Sequence, residues 1–298
     1  MDKAIVIATH DGHFHADDCF SVATLLLMLD TVPVVSTVIR TRDEDVIKKA
    51  DFVVDVGGEH RPENNRFDHH QEGGAGARPN TVPYASFGLV WSKFGKDICG
   101  SKEAASKVDK VLVAPVDADD SGFPIYSKIV SDVVPYKISD FVHDFRPTWQ
   151  EDQSTLDARF LEAVGFARKI LERVIAQTKS SLLAKVEVIK MYEKSEDKRI
   201  VVLDSYYPHE QTLSELPEPV FSIYSRPDGK WTAKALRDDV SSFKNKKDFP
   251  ASWAGKRDAE LVSISGVSDA VFCHNGRFMA VAKTKEGSIE LAKLALKS

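Results

Sequence analysis

The sequence predicts an α/β protein in which a parallel-sheet domain is followed by a smaller α/β domain. At 298 residues, the chain is long enough to form two hydrophobic cores. Short β-branched runs alternate with helical patterns near the amino terminus, which is typical of a parallel sheet with crossover helices. We expect a metal-binding catalytic domain over residues 1–153, connecting helices over 154–194 and a substrate-binding domain over 195–298.

The elements of the first domain follow one another in order. "KAIVIATH" predicts a strand, and "DDCFSVATLLLML" predicts a helix with acids in its first turn. "VPVVSTVIRT" predicts a second strand, "DEDVIKKA" a short helix and "DFVVDVGG" a third strand. "YASFGLVWSKFG" and "SKEAASKVDKVL" are helical patterns. "VLVAPVDADDSG" predicts a further strand that runs into a polar loop.

The second half begins with one or two long helices, because apolar residues recur at helical spacing over 154–194 with few breakers. "SEDKRIVVLDS" then contains a strand, and "VFSIYSRPDGKWTAKAL" predicts a hairpin around Pro227, Asp228 and Gly229. The final segment predicts a strand, a turn at Asn275 and Gly276, another strand and a helix.

Charge and composition limit the classes of function. Residues 1–150 carry 23 acidic residues against 16 basic ones, which argues against a protein that coats nucleic acid by charge alone. The acids either hold divalent cations or form a solvated surface. No run of about 20 apolar residues occurs, so no membrane span is expected. The strand-like start and three cysteines without C-x-x-C spacing favour a cytoplasmic location.

Four polar clusters follow predicted strands. They are "THDGHFHADD" at 9–18, Asp55, "DHH" at 68–70 and "VDADD" at 116–120. Ligands of open parallel sheets bind beyond the carboxyl ends of the strands. His and Asp without thiolates suit Mn²⁺ or Mg²⁺, and one carboxylate can bridge two ions about 3.5–4 Å apart. Each cluster alone could be a cap, a turn or a solvated loop. Together they predict a two-metal site.

The motifs also resemble those of a known family. "THDGHFHADD", "VVDVGGE", "FDHHQ", "YASFGLVWSKFG", "VDADDSG" and "CHNGRFMAVAKTKEGSIELA" resemble, in that order, the melanocyte proliferating gene 1 exonuclease family. That family is itself similar to the DHH superfamily of phosphoesterases, which includes RecJ-type nucleases and family II inorganic pyrophosphatases. The resemblance covers nearly the whole chain. It implies a DHH-like metal domain followed by a smaller substrate domain.

The resemblance also implies roles for individual residues. Asp55 would be shared between two ions, and His70 would face the substrate phosphate. Asp68 would be a ligand or an orienting acid. Asp11, His13 and Asp18 match variable or non-ligand positions. The implied metal ligands are His10, His15, Asp17, Asp55, His69 and Asp117.

One departure from the related superfamily concerns the carboxy-terminal domain. DHH-associated domains often carry Gly-Gly-His before their last helix, and here Ala280, Val281 and Ala282 stand in its place. We expect Lys283, Lys285 and the amino end of the last helix to bind substrate instead.

The resulting functional prediction is phosphodiester hydrolysis that depends on two divalent ions, Mn²⁺ or Mg²⁺. The resemblance implies a 3′-to-5′ exonuclease acting on single-stranded RNA. The alternatives are a hydrolase of small phosphoesters, dinucleotides or pyrophosphate, a non-catalytic nucleotide- or RNA-binding module that retains metals, and a metal-dependent amidohydrolase. The oligomeric state stays open, with a homodimer as one option.

Overall fold

The computed structural model describes residues 4–127, 129–130, 132–239 and 242–298 and confirms the α/β class. The chain divides into an amino-terminal unit that ends at Lys179 and a carboxy-terminal unit that begins at Ser180. The border falls inside a single long helix, α7 (Leu156–Lys194), where the sequence predicted one or two helices. The assignment of catalysis to one unit and substrate binding to the other stays a prediction.

The amino-terminal unit is built on a five-stranded sheet. Its strand order is β2-β1-β3-β5-β4, in which β1 pairs in parallel with β2 and β3, β3 pairs in parallel with β5, and β4 pairs with β5 in antiparallel. The carboxyl ends of the parallel strands therefore lie along one edge of the sheet. The strands are β1 (Ile5–Thr9), β2 (Ser36–Arg40), β3 (Phe52–Val54), β4 (His60–Arg61) and β5 (Arg66–Phe67).

Helices and their caps connect these strands. Asp43 caps α2 by accepting hydrogen bonds from the backbone of Asp45 and Val46, and Ser101 caps α4 by accepting one from Ala104. The helices of this unit, besides most of α7, are α1 (Ala16–Leu29), α2 (Glu44–Lys49), α3 (Ser86–Cys99), α4 (Lys102–Val108), α5 (Ala114–Asp120) and α6 (Ile138–His143).

The prediction of a strand in "VLVAPVDADDSG" is wrong. A π-helical turn (Asp109–Val113) continues α4 directly into α5. Leu112, Val113 and Val116 are buried on the inner side of this helical stretch, so the apolar residues serve helix packing. A short apolar run has no periodicity that separates a buried strand from a buried helix. This change of element determines where each acid of "VDADD" lies.

The core of the amino-terminal unit forms where α1 packs on α3. The rings of Phe20 and Phe87 are fully buried and stack with centroids 5.1 Å apart. Phe14, in the loop between β1 and α1, is also fully buried and meets Phe160 of α7 edge-on at 5.6 Å. This loop is therefore anchored by an apolar side chain between its polar residues.

The carboxy-terminal unit has its own five-stranded sheet, in the order β6-β7-β8-β10-β9, with β6 parallel to β7 and the other pairs antiparallel. The β7–β8 hairpin and the final strand, strand and helix agree with the sequence prediction. Phe221, Phe249 and Leu291 lie in its core. The elements are β6 (Ile200–Val202), α8 (Glu210–Ser214), β7 (Phe221–Ser225), β8 (Trp231–Ala235), α9 (Asp258–Ser265), β9 (Ala270–Cys273), β10 (Met279–Ala282) and α10 (Lys285–Lys297).

Across the described residues, no helix combines the length and the hydrophobicity needed to cross a bilayer.

Candidate metal centre

A cavity of about 940 Å³ opens where β1, β3 and β5 end. His10 follows β1, Asp55 follows β3, and Asp68, His69 and His70 follow β5; all five line the cavity. The parallel sheet therefore brings three of the four predicted clusters to one place. The fourth cluster reaches the cavity through α5.

Three groups of ligand atoms lie in or directly beside this cavity, and within each group the atoms are no more than 4.8 Å apart. Asp55 belongs to two of the groups, and so does His15. Shared members make the three groups one continuous cluster. The groups are His10, His15 and Asp55; Asp55, His69 and His70; and His15, Asp17 and Asp120.

Asp55 occupies the centre of this cluster in an unusual backbone conformation. Its φ angle is 56°, in the left-handed region, which Asp tolerates better than most residues. Its backbone N–H donates to the Phe67 carbonyl at 3.1 Å, and Ser86 Oγ donates to its carboxylate at 3.1 Å. Gly57 and Gly58, which also have positive φ, continue the turn. These bonds fix the carboxylate between β1 and β5.

His10 is oriented from both sides of its ring. Its Nδ1 donates to the Asp11 carbonyl at 2.8 Å, and its Nε2 lies 3.0 Å from Asp18 Oδ2 and 3.2 Å from Asp55 Oδ2. Burial by itself would lower the pKa of His10, but the two carboxylates raise it to about 10. A ring nitrogen held against two carboxylates is a position that favours a positive charge.

Asp18 is a residue of this site that the family resemblance placed among non-ligand positions. It is fully buried, and besides approaching His10 it accepts a hydrogen bond from the His15 backbone N–H at 3.0 Å. It therefore links His10 and His15, two of the three histidines in the β1–α1 loop. The sequence showed only an acid in the first turn of a helix, which is ordinary there.

Asp17 is fully buried, and among the described residues neither of its oxygens has a donor. A carboxylate oxygen of Asp120 lies within 4.8 Å of one of Asp17, in the same ligand group. Burial, together with the charges of Asp55 and Asp120, raises the pKa of Asp17 well above its ordinary value. A buried carboxylate without a donor is expected to be paired or to bind a cation.

His69 and His70 point to different surroundings. His69 Nε2 lies among three carboxylates, at 3.2 Å from Asp55, 3.4 Å from Asp120 and 3.8 Å from Asp17. His70 has 62% of its side chain exposed, and its Nδ1 lies 2.8 Å from Asp68. His69 therefore lies inside the cluster and His70 at its open side, although one of the three ligand groups also includes His70.

Asp68 holds the turn that carries these histidines. It is buried and accepts hydrogen bonds from the backbone N–H groups of Gly58, at 2.6 Å, and His70, at 3.1 Å, as well as from the His70 ring. Of the two roles implied for Asp68, this geometry favours the orienting acid.

The structure does not bring Asp117 into the cluster. Its carboxylate is fully buried, 2.8 Å from Arg78 Nη2, and accepts a hydrogen bond from Gly88 N–H at 3.0 Å. A Cβ on Gly88 would lie 1.9 Å from this carboxylate, so only a glycine at position 88 leaves room for the Asp117 side chain. Because the segment is helical, Asp120, one turn later, reaches the cavity instead. The structure therefore places Asp120, and not Asp117, in a candidate ligand group.

Two arginines from distant parts of the chain hold the loop between β1 and α1. Arg146 donates to the Phe14 carbonyl, from Nε at 2.7 Å, and Arg40 donates to the Gly12 carbonyl. Both guanidinium groups also lie over the Phe14 ring, at 5.7 and 5.6 Å from its centroid. The backbone between His10 and His15 is therefore fixed from two sides.

Lys283 and Lys285 lie in the carboxy-terminal unit, where both are exposed. The Asp269 carboxylate already accepts hydrogen bonds from Thr284 N and Oγ1, at 2.8 and 2.6 Å, at the amino end of α10. Its oxygen would lie 2.0 Å from a Cβ on Gly287. An acid thus occupies the first turn of α10, which counts against that turn as a phosphate site. Substrate binding by the two lysines stays a prediction.

The donor set fits divalent cations. It consists of imidazole nitrogens and carboxylate oxygens, it contains the donor-free Asp17, and it places His69 Nε2 among three acids. Such sets suit Mn²⁺ and Mg²⁺ better than soft metals. The residues able to hold ions are His10, His15, Asp17, Asp55, His69 and Asp120, with His70 at the margin.

Among solved structures, the chain is similar to RecJ of Thermus thermophilus in complex with Mn²⁺. The two are 12% identical with a TM-score of 0.28, and the match covers 98% of this chain and 52% of the RecJ chain. A second structure, of exonuclease RecJ bound to manganese, is also 12% identical, with a TM-score of 0.29, and the match covers 98% of this chain and 89% of the other.

Relatives of known sequence match over almost the full length. The MYG1 exonuclease of Mus musculus is 28% identical over 328 residues, covering 97% of this chain and 84% of the mouse protein. The MYG1 protein of Dictyostelium discoideum is 30% identical over 318 residues, covering 97% and 95%. The family model MYG1_exonuc, described as an uncharacterised protein family (UPF0160), matches residues 6–296. This chain therefore belongs to the MYG1 exonuclease family.

Proposed function

We propose that this protein hydrolyses phosphodiester bonds with two divalent ions, Mn²⁺ or Mg²⁺, and removes nucleotides from the 3′ end of single-stranded RNA. The observation that carries the proposal is the cluster of three ligand groups joined through Asp55 and His15. Membership of a family named for an exonuclease supports hydrolysis of phosphodiesters by a metal-dependent enzyme.

The ligand residues divide between the two ions through their shared members. His10, His15 and Asp55 would hold one ion, and the second would take Asp55 together with His69. Asp17 and Asp120 add carboxylate oxygens beside His15. When bound in such a site, divalent ions polarise phosphoryl oxygens and bring the pKa of water toward neutrality.

The protein itself orients the ligand side chains through hydrogen bonds. Asp18 and the Asp11 carbonyl fix the plane of the His10 ring, which selects the nitrogen that faces the cluster. Ser86 and the backbone of Phe67 fix Asp55. His10 and Asp55 are therefore each oriented by hydrogen bonds from the protein itself.

His70 is the residue best placed to meet the substrate phosphate. Asp68 binds its Nδ1, so Nε2 is the nitrogen that remains for a phosphoryl oxygen. A donor aimed at charge that develops in the transition state contributes about 10²–10³ in rate.

The electrostatics of the cavity require cations before a polyanion can enter. Asp55 and Asp120 line the cavity, and Arg42, which also lines it, lies 3.1 Å from Asp11. Without bound ions this wall would repel a phosphodiester, and with them the local charge reverses. RNA should therefore bind weakly in the presence of a chelator.

The test is a product analysis with three substrates. Protein loaded with Mn²⁺ is incubated with 5′-labelled single-stranded RNA, DNA of the same sequence and bis(p-nitrophenyl) phosphate, with a chelator as the control. A ladder of RNA products that shortens from the 3′ end is the expected result. Equal degradation of DNA would contradict the RNA preference, and activity confined to the small ester would favour the phosphoesterase alternative. Bound RNA without any product would mean a non-catalytic module.

A further inference from the structure

A second cavity in the amino-terminal unit lies next to the metal centre. Its volume is about 470 Å³, and it forms where α5 ends and the chain continues toward α6. Asp119 lines this cavity and the metal cavity as well. The two cavities are therefore neighbours across one side chain.

We propose that this second cavity, which we name the base pocket, binds a nucleobase adjacent to the scissile phosphate. The inference rests on the proposed function, because it assumes that the phosphate lies at the metal cluster. A nucleotide joins a charged phosphate to a flat, largely apolar base. The two neighbouring cavities offer the same pair of environments: one with His and Asp ligands, the other with an apolar wall.

The wall of the base pocket has the chemistry that a base requires. Phe123 packs on Val82, Ala114 and Ala118, which anchors the segment that follows α5. Tyr126, which lines the pocket, is 50% exposed. Aromatic faces of this kind stack on bases with little regard to sequence.

The polar residues of the base pocket lie at its border with the metal cavity. Lys137 forms an ion pair with Asp119, and both residues line the base pocket. The ammonium group is a donor and the carboxylate is an acceptor, so the pair can meet the polar edge of a base. Because Lys137 neutralises Asp119, this part of the border does not add to the charge that repels phosphate.

An apolar segment of a protein partner is the other occupant that such a lining could accept. Val133, Val134 and Tyr136 are 65%, 65% and 66% exposed and lie in the same stretch of chain, outside the residues that line the pocket. The position of the pocket beside the metal cavity favours a nucleobase as its occupant, because a nucleotide would fill both cavities and an apolar protein segment would use only one. A protein partner would contact this wider surface, whereas a base would depend on the pocket residues alone.

The test uses a matched pair of tyrosines. Tyr126→Ala removes the aromatic ring of the base pocket, and Tyr136→Ala is the same substitution in the same stretch outside it. Each protein is loaded with Mn²⁺ and assayed with two substrates. One is a short RNA, and the other is the same RNA in which the two nucleotides that flank the cleaved bond are abasic. The measured quantity is the ratio of kcat/KM for the base-bearing and the abasic substrates.

The wild-type protein should prefer the base-bearing RNA, and Tyr126→Ala should reduce that preference by about 5- to 150-fold, which corresponds to the stacking of one base. Tyr136→Ala should leave the preference within about twofold. Equal losses on both substrates in Tyr126→Ala, or a similar loss of preference in Tyr136→Ala, would overturn the inference. So would a wild-type protein that does not distinguish the two RNAs.

A binding measurement separates this inference from the proposed function. Adenosine 5′-monophosphate and ribose 5-phosphate are titrated into the Mn²⁺-loaded protein and its two variants by calorimetry. Tighter binding of the nucleotide that is lost only in Tyr126→Ala supports the base pocket even if no RNA is hydrolysed, in which case the proposed function fails alone. Equal affinities for the two ligands in a protein that degrades RNA would reject the base pocket and leave the proposed function standing.

Discussion

Replacing Asp55 with Asn tests the centre of the proposed metal site with the smallest change of side-chain shape. Asn has the same shape as Asp and is also among the few residues that tolerate the left-handed conformation found here, with φ at 56°. Its amide oxygen can still accept the hydrogen bond of Ser86. The substitution therefore removes the negative charge and little else.

The expected loss follows from the number of contacts that the charge makes. The carboxylate lies 3.2 Å from both His10 and His69 and belongs to two of the three ligand groups, so one substitution weakens both candidate ion positions. Even partners that only support a metal ligand are worth about 10- to 100-fold in metal affinity. We expect at least 100-fold weaker Mn²⁺ binding, fewer than two bound ions and a loss of activity of about 10²–10³ or more.

The assay combines elemental analysis, calorimetric Mn²⁺ titration and RNA hydrolysis, with Asp119→Asn as the matched control. Asp119 lines the same cavity, but its carboxylate is partly exposed and pairs with Lys137, a contact worth about 0–1 kcal/mol. It should bind metal normally, and any loss of activity should be well below that of Asp55→Asn. Two bound ions and normal turnover in Asp55→Asn would refute the reasoning, and so would equal losses in the two variants.

The remaining predictions concern other members of the site. Asp120→Asn should weaken metal binding. Asp117→Asn should leave metal binding unchanged and lower the Tm by about 10 °C, as expected from breaking a buried ion pair. The reverse pattern in metal titrations and thermal melts would indicate that Asp117 is a ligand. The apparent Mn²⁺ affinity should rise by up to tenfold per pH unit below about pH 10, because the metal-free protein holds a proton on His10 that the ion must displace. Calorimetry in buffers of different ionisation enthalpy measures the release of this proton. An affinity that does not depend on pH would contradict the prediction. His69→Ala should be partly rescued by excess Mn²⁺, while His70→Ala should lose about 10²–10³ in rate without rescue; rescue at both would make His70 a ligand.

The parts of the site that could be predicted from sequence follow from one geometric rule. His10, Asp55 and His69 come after strands that run parallel in one sheet, and the ends of such strands share an edge. The predicted strands before His10 and Asp55 were enough to bring these two residues together, whereas the strand before His69, β5, has only two residues and was not among the predicted elements. The resemblance to a known family supplied the roles, which strand periodicity alone does not contain.

The acids after α4 could not be placed in the same way. The run from Val111 to Val116 is apolar and rich in valine, so its pattern fits a buried strand as well as a helix. On a strand, Asp117 and Asp119 would share one side and Asp120 would face the other. On the helix that forms, Asp117 meets Arg78, Asp119 meets Lys137 and Asp120 reaches the cavity. The predicted strand was therefore wrong, and the choice of Asp117, which came from the family resemblance, could not be checked against the geometry of a helix.

Hydrogen bonds that connect distant parts of the chain and support the site could also not be predicted from the sequence. Arg146 binds the Phe14 carbonyl across 132 positions, and Arg40 binds the Gly12 carbonyl across 28. Nothing in the local pattern around either arginine indicates which backbone it will meet. The role of Asp18 was hidden for a different reason, because an acid in the first turn of a helix is already explained by the helix dipole.

Asp17 shows what the site costs the fold when no ion is bound. Its carboxylate is fully buried, has no donor among the described residues, and has a pKa raised by burial and by the neighbouring acids. A raised pKa in the folded state means that this group destabilises the metal-free protein as the pH rises from about 4 toward that pKa. Bound divalent ions would remove this penalty by supplying the missing positive charge. The Asp17 carboxylate would then destabilise the metal-free protein and stabilise the metal-bound protein. Metal binding and folding of the amino-terminal unit are therefore expected to be coupled through Asp17.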